Sequence, residues 1–339
     1  MTYNILFGTY THKKSVGIYK ASLSDNGTLS NLENIIKIGS PTYFALFKNL
    51  LYTVDKRGKR GGISVWDLSQ KPARKTDEKI VQGSAPAYVF IDKKRKLVYT
   101  ANYHKGLINI FKINGNKIIL INHFQNKGKG PKPEQESSHM HYVSLTPDQK
   151  LICVDLGTDQ VLTFSINKKG ELTNKKIFNT KKGFGPRHLR FNKNGKYAYL
   201  LGELSSKISV LKYKDGIFKL VSTLSTIPLT WKRHNGAAAL RLSDDYKYLY
   251  VSNRGYNSIA VFKIMEKGKK ISLIQQISTE GDFPRDFNLT PDGRFLIVVN
   301  QNSNNASSFA INSTNGKLSL IQKNFYIPEA VRVYFKQNS

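Results

Sequence analysis

Three observations in this sequence predict an all-β protein closed into a ring. One β-rich unit recurs seven times along the 339 residues. No segment holds a helical period for three turns. The first unit lacks its opening strand, and the last segment supplies one, so the two ends can share a sheet. Self-similarity at this period is the mark of a propeller. The expectation is a single seven-bladed β-propeller domain, 1–339, of four-stranded antiparallel blades, in which the N- and C-terminal strands share one blade.

The clearest element is an apolar strand that ends in a polar residue. Its copies lie at 6–9, 51–55, 98–102, 151–155, 199–203, 249–253 and 295–300. The polar ends fall at 9, 55, 102, 155, 203, 253 and 300, steps of about 46 to 53 residues. An alternating run follows each copy, at 16–20, 62–66, 107–111, 161–164, 207–211, 258–262 and 306–309. Alternation of apolar and polar side chains marks a strand packed on a sheet face. Turns such as Asp25-Asn26-Gly27 and Asn315-Gly316 then supply the positive φ that tight hairpins need. A short run opened by Pro or His precedes the polar-ended strand, starting at Pro41, Pro86, His139, Pro186, His234 and Pro284. The seventh such run starts at Pro328. It places strand 331–335 beside strand 5–9, which removes an exposed sheet edge.

Composition narrows the function. There are 53 basic and 23 acidic residues, a net charge of +30. Such a field attracts anions. Much of the excess is Lys in turns, where it is solvated. The densest cluster, 56–62, has no interleaved aromatic residues, so nucleic acid is not the expected partner. The segment 127–133, rich in Gly, Lys and Pro, reads as a flexible, solvated loop. The lone Cys153 sits in an apolar run as an inert thiol and excludes a disulfide framework. The first residues lack the basic and apolar regions of a signal peptide, and no apolar run approaches a membrane span. A cytoplasmic protein acting on a small anionic molecule, without membrane or cofactor, is expected, as a monomer or weak homo-oligomer. No metal is expected either. His139 and His141 would face one way on one strand, but no third ligand accompanies them.

In a propeller the first strand of each blade runs down the axis and the second returns beside it. Strand starts and second-strand ends therefore meet at one face. That brings His139, His141, Arg187, His188, Arg285 and Asp286 near Asn102, His104, Asp155, Glu203, Asn253, Arg254 and Asn300. Asn102, Asp155, Asn253 and Asn300 recur from blade to blade, as capping residues would. Arg187, Glu203 and Arg254 break the repeat with charge. The axis is the natural concave site.

These stretches resemble a known family. The matches include Gly8-Thr9-Tyr10-Thr11, Ala101-Asn102-Tyr103-His104, His139-Met140-His141-Tyr142, Asp155-Leu156-Gly157-Thr158, Gly183-Phe184-Gly185-Pro186-Arg187-His188, Gly202-Glu203-Leu204, Ser252-Asn253-Arg254-Gly255 and Pro284-Arg285-Asp286-Phe287. Over essentially its whole length the chain looks like the seven-bladed propeller lactonases. That group holds a cytoplasmic 6-phosphogluconolactonase and a fungal carboxy-muconate lactonizing enzyme. The resemblance implies hydrolysis of 6-phospho-D-glucono-1,5-lactone to 6-phosphogluconate, a step of carbohydrate metabolism in the pentose phosphate pathway. The family's active-site His, Arg, Glu and second Arg fall on His139, Arg187, Glu203 and Arg254, with His141 competing for the role of His139. Glu203 and His139 are both candidate bases, and Arg187 is the candidate oxyanion donor. Arg254, Arg285 and His188 are candidates for the phosphate, and Asn102, His104, His141 and Asn300 for other substrate contacts. The segment 328–332 departs from the family's apolar-Cys closing pattern. The alternatives are a muconate-type cycloisomerase using the same Arg funnel and a non-catalytic binding scaffold.

Overall fold

The structure is a computed structural model that describes residues 2–336. It consists of seven antiparallel sheets of four strands, arranged around an axis. Among the described residues the only helical pieces are two short 3-10 turns, Pro133–Gln135 and Glu266–Gly268. Blade one takes its innermost strand, Ala330–Lys336, from the far end of the chain and continues with Tyr3–Thr9, Gly17–Leu23 and Leu29–Lys37. Blades two to seven each use four consecutive strands. Their innermost strands are Phe44–Phe47, Tyr88–Asp92, Met140–Leu145, Pro186–Phe191, Gly236–Leu242 and Pro284–Leu289.

Closure follows the expected pairing. Ile5 lies opposite Phe335 and Phe7 opposite Val333. Glu329 adds a second tie: its carboxylate accepts the backbone N–H groups of His12, Lys13, Lys14 and Ser15 at 2.9–3.1 Å. The core lies between neighbouring blades. Tyr52, Tyr99, Tyr199 and Tyr250 occupy corresponding places in four second strands and are fully buried. The hydroxyls of Tyr99, Tyr199 and Tyr250 donate to Asp92, Gly268 O and Gly316 O, while the buried Tyr52 hydroxyl has no partner among the described residues. Cys153 is buried in the same kind of environment, which pushes its thiol far above its usual range.

The recurring Asn and Asp at second-strand ends form one structural device. Each holds the crossover that enters its own blade's first strand. Asn102 Nδ2 donates to Ser84 O at 2.8 Å, Asn253 Nδ2 to Thr226 O at 3.1 Å and Asn300 Nδ2 to Thr279 O at 3.1 Å. Asp155 does more. Its Oδ1 accepts from the N–H groups of His139, Gly157 and Thr158, and its Oδ2 from Ser138 and Asn126. The period of the sequence thus reports a hydrogen-bonding need that every blade repeats.

The innermost strands are not regular. Pairing slips between Met140 and Tyr142, between Pro186 and His188, and between Pro284 and Asp286. The residues skipped are His141, Arg187 and Arg285. A bulge of this kind suspends the alternation of side chains. Consecutive residues, Arg187 with His188 and Arg285 with Asp286, can then both reach the hub, as the next section describes.

The segment 127–133 is exposed except at half-buried Gly130, as expected of a solvated loop, and it is anchored just beyond its end. It runs into the turn Pro133–Gln135, and Gln135 is fully buried, donating to Leu156 O at 2.8 Å. A Cβ on Gly183 would lie 3.4 Å from the Lys132 side chain, so the segment packs on the turn that precedes Arg187. A buried anchor, invisible in the Gly-Lys composition, holds it there.

Candidate active site

A funnel of about 330 Å³ opens on the axis, at the face where the first strands begin. Arg187 reaches it by a tightly specified route. Gly183 and Gly185 have φ of 76° and 61°, values that favour glycine. Their N–H groups donate to the Asp159 carboxylate at 2.6 and 2.8 Å. The chain then enters the strand at Pro186, and the bulge turns Arg187 inward. Glu203 is fixed through its backbone. Its N–H donates to Gly185 O at 2.8 Å, and its carbonyl accepts from Ala237 N at 3.2 Å. Arg254 is held by its Nε, which donates to Gly236 O at 3.0 Å, and its guanidinium lies over the Phe283 ring at 5.1 Å.

These three side chains meet. Arg187 Nε lies 2.6 Å from Glu203 Oε2, and Arg254 Nη2 lies 2.7 Å from Oε1. Arg187 also donates to Ala238 O. Burial pushes the Glu203 carboxyl upward, but the charges of Arg254 and Arg187 overcome it and hold the group far below the usual carboxylate range. Burial lowers Arg187, with Glu203 opposing and Arg254 and Arg285 assisting. Contact with Glu203 keeps the guanidinium charged.

His141 and His188 line the funnel, with ring centroids 5.6 Å apart. Burial, then the charge of Arg187, holds both well below the ordinary histidine range. The two rings are therefore neutral at pH 7, and the buried Nδ1 of each has no partner among the described residues. His104 lines the rim, lowered by partial burial and by His139. Arg285 sits over the Tyr10 ring at 5.4 Å.

His139, Asn102 and Asn300 do not line the funnel. Asn102 and Asn300 are occupied with the crossovers described above. His139 stacks flat on Tyr103, with centroids 4.2 Å apart and planes 2° apart. Its Nδ1 donates to Tyr103 O at 2.9 Å, and its Nε2 lies 3.1 Å from the Glu136 carboxylate. Two residues on, the bulge sends His141 to the axis. The expectation that the two histidines face one way assumed a regular strand.

Sequence reasoning missed Tyr10, Lys56 and Tyr103 on the wall, and Tyr43 and Tyr88 deeper down. A signal for the first three existed. Tyr10, Lys56, Tyr103 and Arg254 each directly follow the recurring polar residue at 9, 55, 102 or 253, Glu203 holds the same place after Gly202, and all five line the funnel. The floor carried no such signal. Tyr43 and Tyr88 stack at 4.0 Å, and Arg332 covers Tyr43 at 4.0 Å. Asp286, beside them, accepts from Arg241 at 2.7 Å and Arg332 at 3.1 Å. A second cavity lies across the Glu203–Arg254 pair and is bounded by Lys132, Glu134 and His234.

Comparison with known proteins adds kinship to this geometry. The family described as "Lactonase, 7-bladed beta-propeller" matches residues 4–335. A 6-phosphogluconolactonase of Bacillus subtilis is 34% identical over 294 residues, covering 84% of each chain. An uncharacterized protein of Lactococcus lactis is 41% identical over 338 residues, covering 98% of this chain and 99% of its own. The crystal structure of a protein from Lactobacillus plantarum superposes with a TM-score of 0.97 at 48% identity, covering 99% of this chain and 100% of its own.

Proposed function

Since this chain belongs to the seven-bladed β-propeller lactonase family, we propose that its funnel hydrolyses a phosphorylated sugar δ-lactone, 6-phospho-D-glucono-1,5-lactone, to 6-phosphogluconate. The observation that carries the reading is the pairing of one carboxylate with two arginines beside a neutral histidine, all on one concave wall.

The roles follow from the electrostatics. Glu203 is too strongly held in its ionised form to serve as a proton acceptor. It orients Arg187 and Arg254 and offers an acceptor to the attacking water. His141 is the base, because it is neutral and lines the funnel beside Arg187 and Glu203. Water adds to the lactone carbonyl while His141 takes one of its protons. The negative oxygen so formed faces Arg187, whose fixed charge needs no reorganisation. The bond from the carbonyl carbon to the ring oxygen then breaks. The ring oxygen takes the proton back from His141, and the new acid ionises to solvent. Glu203 stabilises the transient imidazolium.

The test is titration of acid release in a pH-stat, because these lactones also open unaided. Purified protein should exceed the buffer rate in proportion to its concentration. A rate equal to the buffer blank at every substrate concentration would overturn the reading.

A further inference from the structure

The funnel wall divides by charge when its residues are assigned to blades. Tyr103, His141, Arg187, Glu203 and Arg254 come from blades three to six, and their arginines share a carboxylate. Arg285, Tyr10 and Lys56 come from blades seven, one and two, which adjoin one another on the opposite arc. Neither Arg285 nor Lys56 forms an ion pair with a carboxylate among the described residues. The acids near them are already engaged. Asp286 is bound by Arg241 and Arg332, and Asp55 by Arg57 at 2.7 Å. Ser40 and Thr42 add hydroxyl groups to the same arc. The Arg285 guanidinium lies over the Tyr10 ring, 5.4 Å from its centroid.

We propose that this arc is a phosphate seat, with Lys56 and Arg285 as the residues that select a phosphorylated lactone. The assignment rests on the lactonase reading and adds an orientation to it. Two cations without counter-charge, beside hydroxyl donors, match a phosphate dianion, for which Arg offers a planar fork and Lys a point charge. Seating the phosphate there holds the lactone carbonyl across the axis, against Arg187 and His141. Lys56 lies in the most basic stretch of the sequence and, unlike its neighbour Arg57, lines the funnel.

The experiment has two arms. In the first, kcat/KM is measured for 6-phosphogluconolactone and for unphosphorylated glucono-1,5-lactone, with the natural protein, Lys56→Glu and Arg285→Gln. The natural preference for the phosphorylated lactone should fall about tenfold to a hundredfold in each variant, the loss of one charged hydrogen bond. An unchanged preference would overturn the seat. In the second arm, inorganic phosphate is titrated calorimetrically into the same three proteins, after circular dichroism has established that each is folded. Phosphate should bind the natural protein and bind both variants at least tenfold more weakly. Equal binding by all three would overturn the seat even if lactone turnover were intact. If the natural protein turned over neither lactone, the enzymatic reading would fall, and the calorimetric arm would still decide the seat.

Discussion

Glu203 and His141 sit on the same wall and carry opposite instructions about protons. The two arginines keep Glu203 ionised, and burial with Arg187 keeps His141 neutral. Glu203→Gln should retain size but lose the orienting charge, lowering kcat by roughly 10²–10³. His141→Asn should cost about 10²-fold or more in kcat, the usual contribution of a general base. His139→Phe should reduce kcat by less than tenfold, because His139 supports Tyr103 from outside the funnel. Steady-state kinetics on the three variants would separate these roles. A larger loss in His139→Phe than in His141→Asn would reverse the assignment. The histidines also set a pH dependence of stability. In the unfolded chain His141 and His188 bind protons near the ordinary histidine value of 6.5, and in the fold only well below it. The unfolded state therefore takes up more protons as pH falls through about 6.5, and folding stability declines from there downward. Thermal unfolding between pH 7.5 and 5.5 should show that decline, and His188→Gln should flatten it. Arg187, Glu203 and Arg254 were legible in the sequence because charge interrupted a polar repeat. Tyr43 and Tyr88 were not, because each looks like any other aromatic residue at the start of a buried strand.

The blade is the unit that makes such interruptions visible. Asn102, Asp155, Asn253 and Asn300 recur because every crossover needs its carbonyl or N–H satisfied. Asn253→Ala should cost about 1–3 kcal/mol of stability by cutting its buried bonds with the Thr226 carbonyl and hydroxyl. Urea denaturation would measure it, and a change under 0.5 kcal/mol would show that the pin is dispensable. The bulges at His141, Arg187 and Arg285 were not legible. A bulge is an extra residue in one strand, set by how the partner strand pairs, and no composition announces it. That is why alternation misjudged His139 against His141. The same limit applies to 127–133, where the anchoring residue, Gln135, lies just past the stretch that reads as loop.

Across the whole molecule, a charge of +30 surrounds a funnel that opens to solvent on one face. That field should hasten the arrival of a dianion more than it strengthens its final contacts. Raising ionic strength from about 20 to 300 mM should therefore lower kcat/KM for a phosphorylated lactone severalfold and leave kcat little changed. Salt independence would mean that the surface lysines play no part in capture. The seven-fold repeat and the closure of the ring were legible from start to finish, since both are written as periodic apolar runs with matched ends.

The ring is fastened by its last strand, with Glu329 holding residues 12–15. During synthesis every wall residue of the funnel but Val331 has left the ribosome before that strand emerges. Until then blade one has three strands, Arg332 has not yet covered Tyr43, and Asp286 lacks one of its two guanidinium partners. A polypeptide released early would carry all the acid–base groups and still have no assembled hub. The hub of this protein thus assembles late and all at once, when strand Ala330–Lys336 takes its place in blade one.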